Sequence, residues 1–167
     1  TRFLAPYLCD YKGWAIFTDC DMLVTADIAE LWALRDDKYA VMCAKHDYQP
    51  VGDTKFLGQV QTKYEKKNWS SVMMFNNARC TALTPEVVST ETGLFLHQFK
   101  WLGNDDLIGS LPLSWNYLVG EHQPATSTPE LIHYTLGGPY FEKYRDCEFA
   151  DLWRAELARL NFATPDK

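Results

Sequence analysis

Apolar and polar positions follow two periods along this chain, one helical and one extended, and the switches between them mark its elements. Phe3, Leu4, Tyr7 and Leu8 trace one face of a helix from the very start. Asp10-Tyr11-Lys12-Gly13 then reads as a turn. Trp14 to Thr18 is almost continuously apolar, as expected of a strand buried on both faces, and it runs straight into Asp19-Cys20-Asp21. Asp27, with Glu30 after it, is a capped helix start leading into Ala29 to Leu34. Tyr39 to Ala44 and Val72 to Phe75 are two further strand-like runs. The polar stretch between them, Lys45 to Ser71, holds Pro50, Gly52 and Gly58. A connection of that length in a compact domain either binds something or hides helix of its own.

Thr84-Pro85-Glu86 is a strong helix start, with proline at the first helical position and an acid in the first turn. Glu91 to Trp101 and Asp105 to Leu111 read as short helices, Ile132 to Tyr134 as a last strand, and Gly137-Gly138-Pro139 as a break. Phe149, Leu152, Trp153, Leu157 and Leu160 recur at helical spacing and predict a closing amphipathic helix, read as core alone. Interleaved strands and helices make the class α/β. The whole span 1–167 reads as one domain, the size that about 100–200 residues usually makes.

Composition narrows the function classes. With 47% hydrophobic and 23% charged residues the chain is a folded globule and not a disordered one. A formal charge of −6 offers no basic face to nucleic acid. No run approaches the roughly 20 apolar residues of a transmembrane segment, and no signal-peptide pattern opens the chain. Five cysteines without a C-x-x-C pair suit a reducing compartment, the cytoplasm. Aromatic residues, at 14%, line a sugar site or fill a core, and composition does not choose between the two. Because the chain opens with Thr1 inside an amphipathic pattern, it reads as part of a larger domain.

Thr18-Asp19-Cys20-Asp21 carries the most chemistry. Residues two apart on an extended backbone point to one side, so both carboxylates can face one cation. Two carboxylates held together repel unless a cation, a proton or hydrogen bonds compensate. A hard divalent ion that shares its remaining sites with phosphates is the usual answer, and ligands bind beyond the carboxyl ends of such strands. The plainer alternative has one Asp capping the next segment and the other solvated. An acid-x-acid pair at a strand end also occurs in haloacid-dehalogenase-like phosphatases. There the residue two after the second acid is Thr or Val, whereas here it is Leu23.

The rest of the chain resembles glycosyltransferase family 8, the glycogenin-like and bacterial lipooligosaccharide galactosyltransferase-like enzymes of GT-A fold. Arg2-Phe3-Leu4 and Ile16-Phe17-Thr18-Asp19-Cys20-Asp21-Met22-Leu23-Val24 resemble its R-(L/F) helix and L-Y-L-D-x-D-x-L-V strand. Asp27 to Trp32 resembles its D-(I/L)-x-x-L-(W/F) helix, and Ser71 to Asn76 its F-N-(S/A)-G-V-(M/L)-(L/V)-(I/F)-N strand. Asn104-Asp105-Asp106-Leu107-Ile108 with Leu111 to Asn116 resembles D-Q-D-x-(L/I)-N … L-P-x-x-(W/F)-N. His133-Tyr134, with Gly137, Gly138 and Pro139, resembles H-(F/Y)-x-G-x-x-K-P-W. These matches fall in the family's own order.

The resemblance implies a metal-dependent, retaining transfer of a sugar from a nucleotide donor, UDP-linked by family habit, to a hydroxyl-bearing carbohydrate or other acceptor. Asp19, Asp21 and His133 would hold the metal, Mn²⁺ in preference to Mg²⁺ because an imidazole is among the ligands. Asp105 or Asp106 would work beside the anomeric carbon. The chain departs from the family at Trp69 and Ser71, which stand where Asn and Gly are expected, so a polar contact to the sugar is lost or is supplied by Asn68, Ser70 or Ser71. Leu136 replaces a glycine and the phosphate-binding lysine is absent; Gly137 and Gly138 backbone amides, with Lys143 or Arg145, are the substitutes. These departures suggest a divergent bacterial branch or an altered donor preference. The resemblance also implies that the opening β-α-β half, which grips uracil and ribose, is missing, leaving exposed seams at Trp14–Thr18 and Tyr39–Ala44.

The stretch Lys55-Phe56 … Lys63-Tyr64-Glu65-Lys66-Lys67-Asn68-Trp69, with Lys45, His46 and Asp47 at its mouth, is either a loop contacting acceptor or phosphate or a solvated helix face with aromatic packing beneath. The rival functions are a phosphohydrolase with Asp19 as nucleophile and a non-catalytic carbohydrate-binding domain.

Overall fold

The computed structural model describes residues 2–47, 65–121 and 123–163, the last three for their backbone alone. Lys55, Phe56, Lys63 and Tyr64 lie outside the described residues. A 3-10 turn over Arg2–Leu4 runs into α1, Ala5–Leu8. Strands β1 (Trp14–Thr18), β2 (Met22–Val24) and β3 (Val41–Ala44) follow, with α2 (Ile28–Ala33) between the last two. After β4 (Val72–Asn76) come α3 (Pro85–Thr90), α4 (Gly93–His97) and β5 (Ile108–Leu111). The two short strands β6 (Tyr117–Leu118) and β7 (Leu131–His133) precede α5, Ala150–Ala163. The expected caps are in place: the Asp27 carboxylate accepts from the Ala29 N–H, and the Thr84 hydroxyl from the Val87 N–H.

Two sheets result. The larger has the order β1-β4-β3-β5, the smaller β2-β7-β6. β4 runs antiparallel to both β1 and β3, and β3 runs parallel to β5, so β1, β3 and β5 share one direction. Alternate residues serve opposite faces, as a period of two requires. Val41, Cys43, Met73 and Phe75 join Phe3, Leu83, Phe99 and Trp101 on one side. Met42, Val72, Met74 and Leu111 join Leu31, Trp115 and Leu131 on the other. A third cluster, Tyr117, Val119, Ile132 and Tyr134, lies at the smaller sheet.

Four expectations need correction. Trp14–Thr18 is a strand, but it is half-buried throughout, because among the described residues it is paired on one side only. Tyr39–Ala44 leaves no seam, since β3 lies between β4 and β5 and is fully buried. Asp105–Leu111 is not a helix: a 3-10 turn over Asp105–Leu107 gives way to β5, where Gly109 lies flat against Tyr39. A Cβ at Gly109 would come within 2.5 Å of that ring, so only glycine permits the parallel pairing with β3 here. The closing helix forms as expected, yet it is not a core element. Leu152, Leu157 and Leu160 are exposed, and Phe149 and Trp153 alone pack their rings toward the third cluster. No described helix is long and apolar enough to cross a membrane.

Candidate metal centre

The chain crosses from the larger sheet to the smaller one at Asp19-Cys20-Asp21. Asp19 still belongs to the larger sheet's ladder, its N–H donating to the Ser71 carbonyl at 3.0 Å. Asp21 already belongs to the smaller one: its carbonyl accepts from the Tyr134 N–H at 3.0 Å, and Met22 pairs with His133. The backbone bends at Cys20 and Asp21 instead of staying extended. The carboxylates therefore converge because two sheets meet, not because one strand continues.

Asp19, Asp21 and His133 each offer a ligand atom within 4.8 Å of the others'. His133 is 3% exposed, with Nε2 3.5 Å from Asp21 Oδ1. Its other nitrogen, Nδ1, lies 2.9 Å from the Asn116 side-chain oxygen. Arg2 grips Asp19 with both Nη atoms, at 2.7 and 3.1 Å, and donates to the Ser70 carbonyl at 2.8 Å. Its guanidinium lies 5.2 Å from the centre of the Phe17 ring. Burial pushes the Asp19 carboxyl above its ordinary range, and Arg2 offsets this only in part. Burial acts on Asp21 in the same direction, but the His133 imidazole beside it holds it below its ordinary value. Two crowded carboxylates and a buried imidazole make a donor set suited to a divalent cation of Mn²⁺ type.

Arg2 and the two carboxylates border a cleft of about 450 Å³, lined also by Cys20, Thr135, Gly137, Tyr140 and Phe141. Gly137 has φ 132°, and a Cβ there would meet the Tyr144 ring at 2.4 Å. Its N–H donates to the Tyr134 carbonyl at 2.8 Å, so it is committed to a turn and not offered to a phosphate. Gly138 is buried against Tyr140, where a Cβ would stand 2.4 Å from the ring. Lys143 lies outside this lining, exposed, with its ammonium 5.2 Å from the Tyr144 ring centre.

Ser70 and Ser71 are buried behind the site, and their carbonyls hold Arg2 and Asp19 in place. The Ser70 hydroxyl pairs with His97 Nδ1 at 2.6 Å. Lys45, His46, Asp47 and Trp69 line a second cleft of about 480 Å³, together with Glu65, Lys66 and Lys67. There the Trp69 indole N–H donates to the His46 carbonyl at 2.9 Å, and Lys45 donates to the Ile108 carbonyl at 2.7 Å. Trp69 packs on the first core cluster, so it is a packing residue with one edge on this cleft.

Asp105 and Asp106 line neither cleft, although Asp105 touches the second one's Lys66. They precede the start of β5, whereas Asp19 follows the end of β1, and the two strands run the same way. The acidic pairs therefore sit at opposite ends of the larger sheet. Asp105 instead meets Lys66 at 2.5 Å, in a cleft with Gln98, Lys100 and Asn104. Arg2 and Asn116 were assigned no role from sequence, although both stand inside matched motifs. Their presence there is the signal that would have found them.

This combination of sheets recurs in known enzymes. GlyE, a glycosyltransferase of Streptococcus pneumoniae TIGR4, superposes with TM-score 0.57 at 18% identity, over 92% of this chain and 42% of that one. Its apo form gives 0.59 at 17% identity, over 92% and 41%. The apo structure of WbbM, a bifunctional glycosyltransferase, gives 0.53 at 20% identity, over 90% and 33%. The chain has a glycosyltransferase-like fold. Among curated proteins, Protein CDI of Arabidopsis thaliana is 52% identical over 96% of this chain, which spans 64% of that protein's length. No family model matches the sequence. Nothing in these matches assigns the chain to a bacterial branch.

Proposed function

We propose that this chain carries the metal- and diphosphate-binding part of a family 8-like glycosyltransferase, which moves a sugar from a UDP-linked donor to a hydroxyl acceptor with retention. One observation carries the reading: Asp19, Asp21 and a buried His133 converge where two sheets meet in a glycosyltransferase-like fold. These three would hold Mn²⁺, or Mg²⁺ in its place. When bound, the ion supplies a Lewis acid that stabilises negative charge on the departing nucleoside diphosphate.

The chain's own residues do the positioning. Arg2 clamps Asp19 bidentately, fixing its rotamer and supplying a positive charge at the rim. Tyr140 and Phe141 line the same cleft with aromatic side chains, the kind on which a sugar or a base packs. The acceptor is read onto the Lys45–Trp69 cleft, which opens past the end of β3, the same sheet end as Asp19. Asp105 and Asp106 are given no part in the chemistry, being at the other end. Five free thiols, two of them exposed, fit a reducing compartment such as the cytoplasm.

The test is release of UDP from UDP-sugars by the chain. The expected result is release that needs Mn²⁺ and disappears in Asp21→Ala. Sugar binding indifferent to chelator and to Asp21→Ala would instead establish a carbohydrate-binding domain. Turnover of phosphate monoesters lost in Asp19→Asn would establish the phosphohydrolase.

A further inference from the structure

Asn116 is a fully buried polar side chain that the proposed chemistry does not use. Its amide nitrogen donates to the Asn68 backbone carbonyl at 3.0 Å. A carbonyl can only accept, so the amide NH₂ must face Asn68 and the amide oxygen must face His133. That oxygen, 2.9 Å from His133 Nδ1, can likewise only accept, so Nδ1 carries the proton. In the neutral imidazole the bare nitrogen is then Nε2, the one that points at Asp21. A backbone carbonyl thus fixes an amide, and the amide fixes a tautomer.

We infer that Asn116 is the positioning residue of the cation site, presenting His133 to the ion as a ligand through Nε2. The inference rests on the metal reading of Asp19, Asp21 and His133. It adds that the site is tuned from Asn68, which holds a left-handed backbone at φ 65° beside the second cleft. Outer partners of this kind are worth about 10–100-fold in metal affinity.

The experiment combines ¹⁵N NMR of the metal-free chain with Mn²⁺ titration followed by electron paramagnetic resonance. Wild type is expected to show neutral His133 protonated at Nδ1. Asn116→Leu should lose that preference and bind Mn²⁺ about 10–100-fold more weakly. Asn116→Asp, which keeps an acceptor for Nδ1–H, should recover the tautomer and most of the affinity, and it covers the case in which the leucine variant fails to fold. Wild-type His133 protonated at Nε2 overturns the inference. So does Mn²⁺ binding lost in Asp21→Ala but unchanged in a folded Asn116→Leu. A wild-type chain that binds no Mn²⁺ overturns the metal reading itself, and the inference with it.

Discussion

Asp19 with Asp21, and Asp105 with Asp106, are built from the same residue type and sit at opposite ends of the same sheet. The first pair is held by long-range partners: Arg2, the Ser71 carbonyl, the Tyr134 N–H and a buried histidine. The second has fewer partners, one of them local. Asn104 caps the Asp106 N–H, and Asp105, 69% exposed, reaches a single lysine. Burial raises the Asp19 carboxyl, while His133 lowers that of Asp21, so neighbours push these two apart. Chemistry at a carboxylate comes from what the fold brings to it, and only the first pair has been brought a second carboxylate and a buried imidazole together.

The comparison can be broken most decisively by activity. Asp21→Ala should reduce Mn²⁺-dependent UDP release by at least ~100-fold, since a bound cation contributes several kcal/mol to the transition state. Asp105→Asn and Asp106→Asn should stay within roughly threefold of wild type, the scale of surface changes below about 0.5 kcal/mol. A large loss from either would return catalytic work to that end of the sheet.

Arg2→Met sharpens the comparison through stability. It leaves the partly buried Asp19 carboxylate without its bidentate partner, and urea unfolding should show a loss of about 1–3 kcal/mol. Added Mn²⁺ should recover part of that loss by replacing the missing positive charge. It should recover nothing in Arg2→Met combined with Asp21→Ala.

Gly137→Ala follows, at about 1–3 kcal/mol in the same assay. Its φ of 132° suits glycine, and the Tyr144 ring stands where the Cβ would go. Gly138→Ala should cost less, because the obstructing Tyr140 ring is half-exposed and can move. The smallest effect is expected at the far end. Lys66→Met, which removes the Asp105 ion pair, should cost about 0–1 kcal/mol, because Asp105 is largely solvated.

Much of this was legible in the chain. The apolar runs at β1, β3 and β4 stood out because sheet faces demand alternation or continuity, and the caps at Asp27 and Thr84 are local chemistry. His133 was reached only through the order of matched segments, since nothing in its own neighbourhood separates a ligand from a core histidine. Strand direction was not legible. Ile108 to Leu111 is too short to show a period, and Gly109 makes sense only once Tyr39 lies over it. Without that strand, nothing reveals that Asp105 enters the sheet from the far end. Arg2 and Asn116 were missed for a related reason: their partners lie 17 and 48 residues away.

The central claim is that one divalent cation is held by Asp19, Asp21 and His133. Its most direct test is a Mn²⁺ titration of the chain by electron paramagnetic resonance, beside Asp21→Ala and an Asp105→Asn, Asp106→Asn double variant. The account predicts a single saturable site that is lost in the first variant and intact in the second. Binding that survives Asp21→Ala, or disappears in the double variant, would contradict it.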